Sequence, residues 1–140
     1  EKYAVKCGGG WNHRSDLSSG ILIKDNHLQA SGSVQKAVQK LKKTQLKLPI
    51  ELEVETLTQI EEGLKIDVDG FLLDNMTPEK TKIAVKMIRS AENGEAIFIE
   101  ASGGITLEKL PNYLDTGINA ISIGAITHSA QNADIRLEFI

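Results

Sequence analysis

The chain contains a single cysteine, Cys7. A lone thiol closes no internal disulfide, so a bridge-stapled scaffold is excluded and a reducing compartment is the default expectation. No run of about 18 apolar residues occurs, which leaves no candidate membrane span. The start, Glu1-Lys2-Tyr3-Ala4-Val5, lacks a signal-peptide pattern. Basic blocks are missing too: 16 Lys and Arg against 19 Asp and Glu give a net charge of −3. Binding to nucleic acid or a membrane surface by charge is therefore disfavoured. No His/Cys cluster has zinc spacing, and Cys7 has no obvious activating base. Small-molecule substrates and a cytoplasmic setting are the expectation.

What the chain does have suits one soluble domain. Its 140 residues are 41% hydrophobic and 25% charged, the ordinary range. A domain of this length can bury roughly 70% of its unfolded surface. The first residue is Glu1 rather than Met, so the chain either lost a start or begins inside a longer protein.

Short apolar runs stand at Gly20–Ile23, Ile50–Val54, Val68–Leu73, Ala96–Ile99 and Ala120–Ile123. Their length and Ile/Leu/Val content predict strands buried on both faces. Helical patterns lie between them. Val34, Ala37, Val38 and Leu41 recur at helical spacing behind Ser33, a predicted N-cap. Thr56 and Gln59 have capping-box spacing. Thr77-Pro78 reads as an N-cap followed by a first-position proline, and Asn93-Gly94 as the stop of that helix. Pro111 falls inside a pattern beginning at Thr106 and predicts a distorted or late-starting helix. This βα rhythm predicts an α/β fold with parallel strands. Length alone favours an open doubly wound sheet, because a full barrel takes about 250 residues. The strand ends favour a partial (β/α) barrel of about five parallel strands.

Each strand hands off to a polar or glycine-rich element: Lys24, Glu53, Asp74, Glu100 with Ser102-Gly103-Gly104, and Gly124-Ala125. A ring of contributions from many strand ends suits a barrel site, whereas an open sheet concentrates its contacts at one switch point. The backbone N–H groups of the two small-residue loops suit an anion such as phosphate. A short helix over Ala125–Ala130 would complete that end. The same glycines also suit ordinary turns. Glu53, flanked by Leu52 and Val54, reads as a buried charge that needs a partner. With Asp74 it suits Mg²⁺ or sugar hydroxyls. Lys24 reads either as a point charge for an anion or as a surface partner of Asp25.

Gly8-Gly9-Gly10 matches neither the Walker loop nor the dinucleotide fingerprint. Behind it, Arg14 offers a planar fork for carboxylate or phosphate and His13 a second donor. Alternatively, His13-Arg14 is a loop packed on Trp11. His27 reads as structural, and His128 as lying near the phosphate end.

These residues together resemble a known family. Lys2-Tyr3-Ala4-Val5 running into Gly8-Gly9-Gly10-Trp11-Asn12-His13-Arg14 is similar to the quinolinate phosphoribosyltransferase signature. Leu22-Ile23-Lys24-Asp25-Asn26-His27, Glu51–Glu55, Leu72–Met76, Ser102–Ile105 and Gly124–Ser129 match in the family's order, over essentially the whole chain. The resemblance implies transfer of phosphoribosyl from phosphoribosyl pyrophosphate to quinolinate with Mg²⁺, giving nicotinate mononucleotide, pyrophosphate and carbon dioxide. His13 and Arg14 would bind the two carboxylates. Lys24 would reach the substrate and pyrophosphate, and Glu53 and Asp74 would stand near ribose and metal. Ser102, Gly103, Gly104, Ile123, Gly124 and Ala125 would hold the 5′-phosphate. A homo-oligomer is implied for the full-length protein.

Asp16 and Ser19 depart from the family, which often has glycine and aspartate there. The resemblance also implies a Thr-Arg-Lys segment and an N-terminal α/β domain before Glu1. On that expectation the chain is the C-terminal part of the barrel domain, its first strand an unpaired edge, and it is inactive in isolation. Two other readings share these residues: a paralogue using a different base, and an inactive barrel fragment.

Overall fold

The computed structural model describes residues 1–16, 18–44 and 47–139. Five strands form one parallel sheet in sequential order: β1 (Ile21–Ile23), β2 (Ile50–Val54), β3 (Gly70–Asp74), β4 (Phe98–Ser102) and β5 (Ala120–Ile121). Each strand pairs in parallel with its successor. Sequential order without reversal means that every crossover runs the same way. Right-handed crossovers then place every helix on one face. That is the geometry of a barrel segment, and the doubly wound alternative falls with it.

Helix α1 (Lys2–Cys7) precedes the sheet, α2 (Asp25–Ser31) and α3 (Val34–Lys42) follow β1, and α4 (Leu57–Leu64) follows β2. Then come α5 (Pro78–Arg89) after β3 and the short α6 (Ala125–His128) after β5. The N-caps act as their residue types dictate. Ser33, Thr56 and Thr77 accept from the backbone N–H of Lys36, Gln59 and Lys80. Gln59 returns the bond by accepting the Thr56 N–H at 3.0 Å, which completes the capping box. At α2 the residue at the third helical position does the same work: His27 Nδ1 accepts the Lys24 N–H at 2.9 Å. The α2 helix was not legible in the sequence, but the structural reading of His27 agrees with this bond.

Strand alternation sorts the side chains. Ile23, Leu52, Val54, Phe71, Leu73 and Ile99 point toward the helices and are almost fully buried with Val38, Ile60, Ala84 and Ile88. Leu22, Glu51, Glu53, Asp74 and Ser102 take the opposite face and stay partly exposed. The expectation of strands buried on both faces therefore holds for the middle of β3 and β4, where Leu72 and Glu100 are buried on that opposite face, and not for β2, whose Glu51 and Glu53 are partly exposed. In β2 the period of two sets Glu51 and Glu53 on the face opposite Leu52 and Val54.

Several boundaries also shift. β3 starts at Gly70, not Val68, and β4 at Phe98, not Ala96. Ala96 instead ends a 3₁₀ turn that follows Asn93, a residue at φ 59°. Asp74, Glu100 and Ser102 thereby belong to strands rather than to the loops after them. β5 is shorter than expected, and the last helix ends at His128 rather than Ala130. Around Pro111 the chain forms a 3₁₀ helix over Leu110–Tyr113, the late start that the proline predicts.

Candidate active site

Parallel register sets the side chains of the inner face in rows. Ile23 pairs with Leu52, so the next residue, Lys24, stands beside Glu53. Lys24 Nζ lies 3.0 Å from Glu53 Oε2. Glu53 is thus a mostly buried carboxylate with a cation, as its place between Leu52 and Val54 requires. The surface pairing of Lys24 with Asp25 is not formed; Asp25 Oδ1 instead accepts the Asn26 N–H.

Asp74 ends β3 opposite Ser102. Its Oδ2 accepts from Asn75 Nδ2 at 2.7 Å, and Asn75 N–H donates to Ser102 O at 3.0 Å. Asn75 is left-handed at φ 53°, and Gly103, which faces it, lies at φ 89°. The Ser102-Gly103-Gly104 loop is therefore folded against the end of β3. Its glycines serve a turn and a tight contact, and a β carbon on Gly104 would meet nothing within 4 Å. Gly124 opens α6, and His128 Nδ1 meets Ser129 Oγ at 2.8 Å beside it. Lys24, Glu53, Asp74, Ser102 and the glycine loops thus occupy the C-terminal ends of consecutive strands on one face.

His13 and Arg14 form a second group. No hydrogen bond or ion pair among the described residues joins them to Lys24, Glu53 or Asp74. Trp11 is 94% exposed, so the alternative of a loop packed on Trp11 is not what forms. Instead His13-Arg14 folds over the inner face and lines a cavity of about 770 Å³ with Glu51, Glu100, Asn119 and Ser122. Arg14 NH1 donates to Gly20 O at 3.1 Å. Arg14 Nε and Glu51 Oε1 are buried without a hydrogen-bond partner among the described residues.

Glu100 is the residue that sequence reasoning passed over as a strand-end acid. It is 4% exposed and accepts the Ser122 hydroxyl on Oε1. His13 Nε2 stands between Glu100 Oε2 at 3.4 Å and Glu51 Oε2 at 3.6 Å. Beside Glu51, Gly70 lets β3 and β4 approach closely, since a β carbon there would sit 3.1 Å from Phe98 O. Burial pushes the Glu51 carboxyl up to about 7, with the Glu100 charge adding to the effect, Arg14 opposing it and Glu53 adding a little more. The cluster has the donor types of a metal site, but its hydrogen bonding speaks against one. His13 Nδ1 accepts the Arg14 N–H at 2.8 Å, so the ring proton belongs on Nε2 and no lone pair faces the carboxylates.

The loop after Arg14 explains the two departures at Asp16 and Ser19. Asp16 Oδ1 accepts the Ser18 N–H at 2.8 Å, the Ser18 hydroxyl at 2.6 Å and the Ser19 hydroxyl at 3.0 Å. The Ser18 bonds and then the Ser19 bond hold the Asp16 carboxyl below its usual range. Asp16 and Ser19 thus act as one side-chain turn.

Among proteins of known sequence, a probable nicotinate-nucleotide pyrophosphorylase (carboxylating) of Bacillus subtilis is 42% identical over 139 residues, 99% of this chain and 46% of that one. The human nicotinate-nucleotide pyrophosphorylase (carboxylating) is 34% identical over the same share of each. The solved nicotinate-nucleotide pyrophosphorylase of Ehrlichia chaffeensis superposes with a TM-score of 0.85 at 40% identity, covering 94% of this chain and 46% of that one. The chain spans about half the length of the relatives it matches. The model of the quinolinate phosphoribosyl transferase C-terminal domain matches residues 1–138, and with the parallel half-barrel and its ring of strand-end groups, the chain belongs to that family.

Proposed function

We propose that the protein carrying this chain transfers phosphoribosyl from phosphoribosyl pyrophosphate to quinolinate, with loss of carbon dioxide. One observation carries the reading: Lys24, Glu53, Asp74 and the Ser102–Gly104 loop stand together at the C-terminal strand ends. Carboxylates there suit ribose hydroxyls and a sugar carbon that becomes positive, while a small-residue loop lets its backbone N–H groups approach a phosphate. The quinolinate ring nitrogen bonds to the anomeric carbon as the bond to pyrophosphate oxygen breaks. The carbon–carboxylate bond beside that nitrogen then breaks, and a proton takes its place.

The residues carry distinct parts of this work. Lys24 neutralises anionic substrate and the departing pyrophosphate. Glu53 and Asp74 bind the ribose side. The loops Ser102-Gly103-Gly104 and Ile123-Gly124-Ala125 hold the 5′-phosphate. Arg14, with a buried Nε–H unpartnered among the described residues, is assigned with His13 to the quinolinate carboxylates. The donor set also fits Mg²⁺: Glu53 and Asp74 are hard oxygen ligands, each engaged through one oxygen only among the described residues. When bound, directly or through water, that ion supplies charge neutralisation at the leaving group. The reading includes a cytoplasmic homo-oligomer as its working form.

The test is an assay of the full-length gene product with quinolinate, phosphoribosyl pyrophosphate and Mg²⁺. The expected products are nicotinate mononucleotide, pyrophosphate and carbon dioxide. Turnover of a different base with none of quinolinate would replace this reading with that of a paralogous phosphoribosyltransferase.

A further inference from the structure

The ribose and phosphate side of the candidate site is built from three loops that leave the sheet at the ends of β3, β4 and β5. One sugar phosphate can meet all three only if they keep a common position. A single buried side chain ties them together. Tyr113, at the end of the 3₁₀ helix, packs in a small apolar cluster with Ala101, Ile105, Ile121 and Ile123. Ala101 and Ile105 bracket the Ser102-Gly103-Gly104 loop, and Ile123 immediately precedes Gly124. The Tyr113 hydroxyl leaves this cluster for the loop after β3 and donates to Met76 O at 2.9 Å. Its backbone is held in turn, since Tyr113 O accepts the Thr116 hydroxyl at 2.7 Å. What the Tyr113 hydroxyl fixes is the turn that follows Asp74. Asn75 sits at φ 53°, a region that asparagine tolerates but does not enforce. On one side Asn75 N–H donates to Ser102 O, and on the other Met76 O is pinned by Tyr113. From this turn Asn75 Nδ2 donates to Asp74 Oδ2 at 2.7 Å.

We propose that Tyr113 is a positioning residue for the phosphorylated sugar, its hydroxyl fixing the Asn75 turn, and through it the Asp74 carboxylate, against the two glycine loops. This rests on the reading in which Asp74 and those loops bind phosphoribosyl pyrophosphate. Tyr113 is buried and acts through Asp74 rather than on the substrate. Ring and hydroxyl divide the work. The ring packs against the residues that flank the glycine loops, and the hydroxyl makes the bond to the β3 loop. A phenylalanine would keep the packing and release the turn. No hydrogen bond among the described residues joins Tyr113 to His13 or Arg14, so the pyridine-acid side is expected to be left alone.

A double-mutant cycle separates positioning from plain stabilisation. Tyr113→Phe, Asp74→Asn and the double variant are made in the full-length gene product. For each, kcat/KM for phosphoribosyl pyrophosphate and equilibrium binding of quinolinate are measured, with a melting curve to confirm folding. Tyr113→Phe is expected to lower kcat/KM for phosphoribosyl pyrophosphate about tenfold, the scale of one lost hydrogen bond. Quinolinate affinity is expected to stay within about threefold of wild type. In the Asp74→Asn background the same change is expected to cost no more than about twofold, because the carboxylate it positions is gone. A loss in that background as large as in the wild type overturns the proposal, as does wild-type kcat/KM in Tyr113→Phe or an equal weakening of quinolinate. Asn75→Gly provides a second route: it keeps the left-handed turn and removes the amide that ties the turn to Asp74. It is expected to lower the same constant about tenfold, again only while Asp74 is present. Wild-type kcat/KM in Asn75→Gly overturns the proposal even if Tyr113→Phe does not fold. A wild-type protein that does not use phosphoribosyl pyrophosphate overturns the underlying reading first and this one with it.

Discussion

Gly103 and Asn75 compete for the same space: a β carbon on Gly103 would stand 2.5 Å from the Asn75 backbone nitrogen. Both residues have positive φ, Gly103 at 89° and Asn75 at 53°. The end of β3 and the end of β4 are thus closed on each other at the ring of candidate site residues. Asp74, one residue before Asn75, owes its place to that closure.

Gly103→Ala is expected to destabilise the protein by about 2 kcal/mol or more, because a left-handed φ and a backbone clash both penalise a side chain. Gly104→Ala, at φ 58° but with open space around it, is expected to cost only about 1 kcal/mol. Denaturant unfolding of the two variants checks the difference. Equal losses would show that the Asn75 contact contributes nothing.

Glu51 gives the protein an unusual pH response. Its folded carboxyl is pushed up to about 7 from an ordinary 4.5. Between these values the unfolded chain has released the proton and the folded chain has kept it. The unfolded state binds fewer protons, so stability falls as pH rises from 4.5 to 7 and levels off above. The loss is on the order of 3 kcal/mol. Glu51→Gln, neutral at every pH, is expected to unfold at nearly the wild-type denaturant concentration at pH 4.5 and at a higher one at pH 8. A wild-type profile retained in the variant would remove Glu51 as the cause.

Lys24 and Glu53 are expected to separate stability from activity. The lysine is half-exposed in this pair, so Lys24→Met is expected to change unfolding free energy by about 1 kcal/mol or less. In the full-length gene product the same variant is expected to lower turnover by about 100-fold, the usual scale for losing one electrostatic contact in a transition state. A stability loss matching the activity loss would make Lys24 a structural residue.

Glu53→Gln and Asp74→Asn are expected to lower turnover and to raise the Mg²⁺ concentration needed for half-maximal rate. Titrating Mg²⁺ at saturating substrate checks this. An unchanged Mg²⁺ dependence in both variants would remove the ribose–metal assignment.

Arg14→Lys is expected to weaken quinolinate binding much more than phosphoribosyl pyrophosphate binding, since an ammonium cannot reproduce the guanidinium fork. Separate affinity measurements for each substrate decide it, and equal weakening of both would count against Arg14 as the carboxylate ligand.

Much of this molecule was determined by sequence alone. Apolar runs alternating with helical spacing dictate parallel βα units, and Ser33, Thr56 and Thr77 mark helix starts by their side-chain oxygens. The handoff of each strand to a polar or glycine residue located the ring of Lys24, Glu53 and Asp74. Local chemistry fixes such features, because caps, turns and period-2 faces depend on residues a few positions apart. Tertiary structure decided the rest. Only folding brings His13, Glu51 and Glu100 to one point, from positions 38 and 87 residues apart at the extremes of the first pair and the whole set. Only the contact with Asn75 gives Gly103 its second role. Only register sets Lys24 on Glu53 rather than on Asp25. A buried charge takes its meaning from whichever strand lies beside it, and that neighbour is not written next to it in the chain.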